Sequence, residues 1–246
     1  MNKNLLIEKI VKMSFDSNEG HIPSSLSILD LLIVLYQNVI DDNNKLILSK
    51  GHASLSLYVV LDHFNLLGED LQTFCKFGSN IGGHPSNKLQ NVVCSTGSLG
   101  HGFPMAVGLA LSKKIKKESG KVYCIVGDGE CNEGTIWESA LLASNLKLDN
   151  LVCIVDYNRS NDRSLKLDSL LDKFKSFNWN CQEIDGHNQD EISQSFKKST
   201  NNPLCIIANT IKGKGISMME NNHEWHHKTP TDDQYHQILE ELKINI

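Results

Sequence analysis

Arginine is nearly missing from this chain of 246 residues: Arg159 and Arg163 are the only two, and the other positive charges are lysines. Arginine is the favoured bidentate clamp for phosphate, so the sequence is poorly equipped to grip several phosphate groups alone. A basic surplus is missing too. The formal net charge is -5, which argues against nonspecific nucleic-acid binding, because a phosphate backbone calls for a basic surface. Long apolar runs are absent: "LLIVLY" falls far short of the roughly 20 residues that span a bilayer. The first residues, MNKNLLIEKIVKMSFD, interrupt their apolar positions with charge and offer no small-residue cleavage site. Neither export nor a membrane anchor is indicated, and a cytoplasmic location is expected. Seven cysteines occur without one C-x-x-C pair, and several lie inside apolar runs, where a thiol serves as a small hydrophobe in a reducing setting. Repeats, low-complexity tracts and clear linkers are also absent.

What is present suits a globular fold. Hydrophobic residues make up 40% and charged residues 22%, and the length fits one α/β domain over 1–246. Residues 5–15 and 26–38 carry apolar positions at helical spacing, with a loop, DSNEGHIPS, between them. Further loops are expected at LSKGHASLS and SNIGGHPSNK, on either side of the amphipathic LYVVLDHFNLLG. A glycine-rich turn, STGSLGHG, leads into a helix whose lysines at 113–117 read as a solvated face. KVYCIVGDG and NLVCIVDYN contain short, nearly continuous apolar runs with β-branched residues, as strands covered on both faces do. The segment between them, EGTIWESALLASNLKL, reads as a helix. Strands are also expected in NCQEI and PLCIIANTI, with the helix QDEISQSFKKS between them. A last helix, TDDQYHQILEELKI, has Thr231 as its candidate cap. The fold class is therefore α/β, a parallel sheet flanked by helices.

Asp128 in Gly127-Asp128-Gly129 ends one of these strands, and Asn158 ends the next, thirty residues later. Adjacent parallel strands finish at the same sheet edge about 5 Å apart, so the two side-chain oxygens can converge where open α/β sheets bind ligands. Two hard oxygens leave sites on a Mg²⁺ for a carbonyl, water and phosphate oxygens. Gly127 and Gly129 let the backbone turn and approach a phosphate closely, and the helix starting near Glu133 adds a partial positive charge. Alone, the Gly-Asp-Gly could be a plain turn; with the Asn at this spacing, a metal–diphosphate site is the better reading.

This Gly-Asp-Gly…Asn pattern resembles the thiamine diphosphate fingerprint. EGHIPSSLS with His21, SKGHASLSLY with His52, GGHPS with His84, STGSLGHG and the late IKGKGISMMENNHEWHHK with His226 resemble, in order, the N-terminal half of transketolases across essentially the whole chain. The resemblance implies a thiamine diphosphate-binding fold, with Mg²⁺ (or Ca²⁺ or Mn²⁺) held by Asp128, Asn158 and the main-chain oxygen of Ser160. It implies that His21 and His226 contact the donor sugar, that His52 and His226 lie near the diphosphate, and that His84 binds the hydroxyl of the transferred two-carbon unit. Gly97 and Leu99 would offer backbone groups to the aminopyrimidine, and Glu133 would sit at a subunit interface near the cofactor. His63, His187, His223 and His236 keep a structural reading. His101, His227 and the His-Ile-Pro of the first loop depart from the pattern, which bears on substrate preference.

Transketolases that carry the whole enzyme in one chain continue into a pyrimidine-binding domain and a C-terminal domain. The resemblance therefore implies the N-terminal subunit of a split, two-subunit transketolase, moving a two-carbon ketol unit from a ketose to an aldose. Its partner would be a C-terminal subunit in an α2β2 heterotetramer, and its sugars would be of the pentose phosphate pathway or less common. Two alternatives stay open: a thiamine diphosphate-binding subunit of a 2-oxo acid dehydrogenase or decarboxylase, and a noncatalytic subunit retaining the fold.

Overall fold

The computed structural model of the chain describes residues 2–198 and 201–244. Three helices come first, α1 (Lys3–Ser17), α2 (Ile22–Leu26) and α3 (Leu29–Asn38), followed by β1 (Lys45–Leu48) and α4 (Ser54–His63). After long loops come α5 (Gly102–Lys116), β2 (Val122–Gly127), α6 (Gly134–Asn145) and β3 (Leu151–Tyr157). The chain closes with α7 (Leu170–Ser176), β4 (Asn180–Asp185), α8 (Gln189–Phe196), β5 (Leu204–Asn209) and α9 (Asp232–Ile244). The strands form one sheet in the order β1-β2-β3-β5-β4, and every neighbouring pair is parallel.

The strand sequences explain the layering. All six residues of β2 are buried, as are the first six of β3, so both sheet faces are covered. Alternation sends Tyr123, Ile125, Val152, Ile154 and Leu204 into a core shared with α1–α4, α8 and α9. It sends Cys124, Val126, Cys153, Val155 and Cys205 into a second core under α5, α6 and α7. Cys124, Cys153, Cys205 and Cys181 stand in register across four neighbouring strands. All seven cysteines are free, and the row acts as a band of small hydrophobes.

The expected strand–helix–strand unit is β2–α6–β3. Gly127 stands opposite Asp156, and the Asp128 amide donates to the Asp156 carbonyl at 3.2 Å. Asp128 and Asn158 therefore leave adjacent strands at one edge. Thr231 caps α9 as expected, its Oγ1 accepting from the Gln234 amide at 3.4 Å.

Four expectations need correction. The helix expected over 26–38 is present as α3 from Leu29, but the loop expected before it holds α2, which begins at Ile22 because Pro23 in its first turn is already set to a helical φ. β1 and α7 were not anticipated. Each is short, four and seven residues; α7 is initiated by the Ser169 hydroxyl, which accepts from the Asp172 amide. Lys113 is not on a solvated face: it is buried, with its ammonium 3.8 Å from Glu118. Among the described residues no helix is long and apolar enough to cross a membrane.

Candidate functional site

The carboxyl ends of β1, β2, β3 and β5 open into a cleft of about 840 Å³. Lys50 and His52 reach it from beyond β1, Asp128 and Glu130 from beyond β2, Asn158 and Ser160 from beyond β3, and Lys212 from beyond β5. Gly127, Gly129, Leu99, His223 and His226 also line it.

Asp128 is buried. Its Oδ1 accepts from the Gly129 amide at 2.7 Å, while Oδ2 is buried without any hydrogen-bond partner. Burial, and then the nearby Asp156 charge, raise its pKa to about 6. An ionised carboxylate with one orphaned oxygen calls for a cation there. Asn158 has a fixed orientation: Nδ2 donates to Asp156 Oδ2 at 2.9 Å, and Oδ1 accepts from the Ser160 amide at 3.0 Å. That oxygen keeps a second lone pair. Among the described residues no three His, Cys, Asp or Glu gather as a metal-binding group. The expected donors differ in kind: one carboxylate, one amide oxygen and one carbonyl. Such hard oxygens suit Mg²⁺ completed by phosphate oxygens, so the residues present fit a metal–diphosphate group.

Behind Asn158 sits a carboxylate that sequence reasoning missed. Asp156, 0% exposed, accepts from Ser27 Oγ at 2.7 Å, from Asn158, from Thr210 Oγ1 and from the buried Lys50 ammonium. Burial works against its charge, but Lys50 and the hydrogen bonds outweigh it and hold its pKa below the usual carboxylate range. Glu130 is a second missed residue. It accepts from the Gly100 amide at 2.8 Å, the Gly127 amide at 3.2 Å and the Ser49 hydroxyl, tying three loops of the cleft together. Burial raises its pKa. The available signals were a charged residue inside the apolar IVDYN and a lysine in the SKGH turn.

The histidine loops converge. The His21 ring centroid lies 5.3 Å from that of His52 and 5.4 Å from that of His226, and His52 lies 6.4 Å from His226. His84 sits against Gly97, where a Cβ would come within 3.3 Å of the ring. Burial, then the neighbouring histidines 227, 226 and 84, push the pKa of His21 down to about 4. Burial, followed by Lys50, drives that of His52 lower still. Both are neutral imidazoles at physiological pH. Glu133 is exposed at the N-cap of α6 and packs against Gly100, and Glu138 is exposed, as a solvated helix residue would be. His187 is structural: the Ile211 amide donates to its Nε2 at 2.9 Å, and Nδ1 bonds Asp30 at 3.0 Å.

The only two arginines of the sequence, Arg159 and Arg163, both line this cleft.

A parallel sheet with oxygen donors and cations at its carboxyl edge defines a diphosphate-binding α/β domain. Residues 4–245 match the family described as "Transketolase, thiamine diphosphate binding domain", and the chain belongs to that family. It is 38% identical to an apulose-4-phosphate transketolase subunit of Actinobacillus succinogenes, over 96% of this chain and 92% of that protein. It is 35% identical to the 6-deoxy-6-sulfo-D-fructose transketolase subunit SqwG of Clostridium sp. (strain MSTE9), over 98% and 93%. Against the transketolase of Homo sapiens it is 36% identical over 94% of its length but spans only 40% of that protein. The solved transketolase from Campylobacter jejuni superposes with a TM-score of 0.88 at 27% identity, covering 99% of this chain and 42% of that one.

Proposed function

We propose that this chain is the N-terminal, coenzyme-binding subunit of a split transketolase, moving a two-carbon ketol unit from a ketose donor to an aldose acceptor. The observation that carries this reading is the convergence of Asp128, Asn158, His52 and His226 on one cleft, with His21 packed beside both histidines. Relatives named as transketolase subunits match almost end to end, whereas the longer human transketolase is matched over 40% of its length. Both findings support a second polypeptide that completes the site; its proposed assembly with this chain is α2β2.

Asp128, Asn158 and the Ser160 carbonyl would hold Mg²⁺, with Lys50 and Lys212 offsetting diphosphate charge and neutral His52 lying near it as a hydrogen-bonding group. When bound, thiamine diphosphate supplies the electron sink for breaking the carbon–carbon bond beside a ketose carbonyl. Neutral His21 and His226 exchange hydrogen bonds and protons with sugar hydroxyls, and His84 binds the hydroxyl of the transferred unit. Gly97 and Leu99 present backbone groups to the aminopyrimidine, and Glu133 meets the partner. Two relatives are named for less common sugars, apulose 4-phosphate and 6-deoxy-6-sulfo-D-fructose, so the proposed donors include such sugars beside those of the pentose phosphate pathway, and the proposed setting is the cytoplasm.

The test is two-carbon transfer from xylulose 5-phosphate to ribose 5-phosphate by the chain co-purified with its partner, with Mg²⁺ and thiamine diphosphate. Turnover by the pair and none by the lone chain is expected. Efficient turnover by the lone chain would remove the half-enzyme reading, and tight coenzyme binding without turnover would redirect the search to another sugar.

A further inference from the structure

Lys212 is a buried cation for which the fingerprint has no role. Its ammonium lies 2.8 Å from Nδ1 of His226, the residue fourteen positions on, and its side chain is 7% exposed although it lines the cleft. Its place is tightly held. Thr210 donates its amide to the Tyr157 carbonyl at 3.2 Å, and Ile211 donates its own to His187. The Lys212 carbonyl accepts from the Asn221 amide at 2.8 Å, and the Gly213 amide donates to the Pro23 carbonyl at 3.0 Å. At Gly213, with φ +83°, a Cβ would fall 2.3 Å from the Met219 carbonyl oxygen. The turn that brings Lys212 back to His226 therefore requires glycine.

The chemistry of the pair is one-directional. An ammonium has three protons to donate and no lone pair to accept with. If Nδ1 of His226 faces it, Nδ1 must be the bare, accepting nitrogen, and the proton of the neutral ring must sit on Nε2. His226 is kept neutral by partial burial and by the charge of Lys212 itself, which lower its pKa. The same logic reads the tautomer of His187, whose Nε2 accepts from the Ile211 amide, so that Nδ1 carries the proton toward Asp30.

We infer that Lys212 is a positioning residue that locks His226 in the Nε2–H tautomer, making it a hydrogen-bond donor through its free nitrogen, able to pass that proton on only as Nδ1 takes one from the Lys212 ammonium. Resting on the transketolase reading, this makes His226 the group that donates to an oxygen of the sugar or the diphosphate. It cannot serve as the initial base at that nitrogen.

The test reads the tautomer directly. The full chain is labelled with ¹⁵N-histidine, and long-range proton–nitrogen correlations are recorded at pH 7, with the His226 signals assigned by their loss in H226Q. In the wild type a bare Nδ1 and a protonated Nε2 are expected. In K212M the ring should redistribute toward Nδ1–H, at least tenfold from its wild-type ratio, and K212R should restore the original pattern. Paired with its partner, K212M should lose ketol transfer by roughly 10- to 100-fold, as removal of an orienting neighbour does, mostly in kcat, with K212R recovering part of it. A wild-type spectrum showing Nδ1–H overturns the inference, as does a K212M spectrum identical to wild type. If the tautomer follows Lys212 while the wild-type pair transfers no ketol unit, the inference stands and the transketolase reading falls.

Discussion

At the scale of single residues, Asp128 makes a prediction with two opposite signs. Its Oδ2 is buried without a partner, so in the metal-free chain its charge is a cost. Asp128→Asn should raise the melting temperature of the metal-free chain at pH 7. It should also lower affinity for Mg–thiamine diphosphate by about 100-fold or more, measured by titration calorimetry on the assembled pair. A variant that binds the coenzyme as tightly as wild type removes Asp128 from the metal site. His21 yields a pH prediction. Its folded-state pKa is about 4, against 6.5 for a free imidazole, so between those values the unfolded chain binds more protons than the folded one. Stability contributed by this group is therefore present above pH 6.5 and is lost as pH falls toward 4. Thermal melts between pH 4 and 7 should show a shallower slope for His21→Gln than for wild type; equal slopes would place the titration elsewhere. Asp156→Asn tests the buried pair. It leaves the Lys50 ammonium without a counter-charge, and loss of about 3–5 kcal/mol by denaturant unfolding is expected for breaking such a pair.

At the scale of elements, the sheet was legible where burial dictates composition. In β2 and β3 both faces are covered, so VYCIVG and LVCIV are continuous apolar runs that stand out in the sequence. β1 has only four residues, too few for a pattern, and takes its identity from pairing with β2. The strand–helix–strand pattern put the ends of β2 and β3 at one edge, and their adjacency, a condition for Asp128 and Asn158 to meet, is supplied by the observed pairing. Asp156 was not legible as a site residue, because its role depends on Lys50, Ser27 and Thr210, which arrive from three distant segments. The histidines were reached through the resemblance of their loops to those of transketolases, local patterning giving no more than irregular turns around them. The lysine that orients His226 has no local signal beyond the glycine beside it. That glycine can be tested: Gly213→Ala puts a Cβ against Met219 at a positive φ, with an expected loss of about 1–3 kcal/mol. Because the turn carries Lys212, the same variant should disturb the His226 tautomer, whereas a Gly108→Ala control, whose Cβ meets nothing within 4 Å, should not.

At the scale of the whole molecule, the question is where a second chain would join. α5 and α6 pack beside each other in the second core, and both start from loops of the cleft, α5 just after Leu99 and α6 just after Glu130. Their outer faces carry apolar residues that a free surface has no use for: Met105 is 39% exposed, Leu141 56% and Leu142 48%. Leu141 and Leu142 share the exposed stripe of α6 with Glu138, one and two helical turns from its start. An exposed apolar face continuous with an open site suits the polypeptide that covers that site, the partner subunit of the proposed enzyme. Replacing Leu141 and Leu142 together by serine removes apolar area at solvent-exposed positions, so the chain's own melting temperature should shift by little. Its dissociation constant for the partner, read by analytical ultracentrifugation or interferometry, should rise at least tenfold, since two desolvated leucines at an interface are worth about 1 kcal/mol or more each. Activity at limiting concentration should fall in step and recover as the partner is added in excess. Unchanged association would put the joint elsewhere on the chain, and a lone chain that changes from dimer to monomer on the same substitutions would show that this face pairs with a second copy of itself.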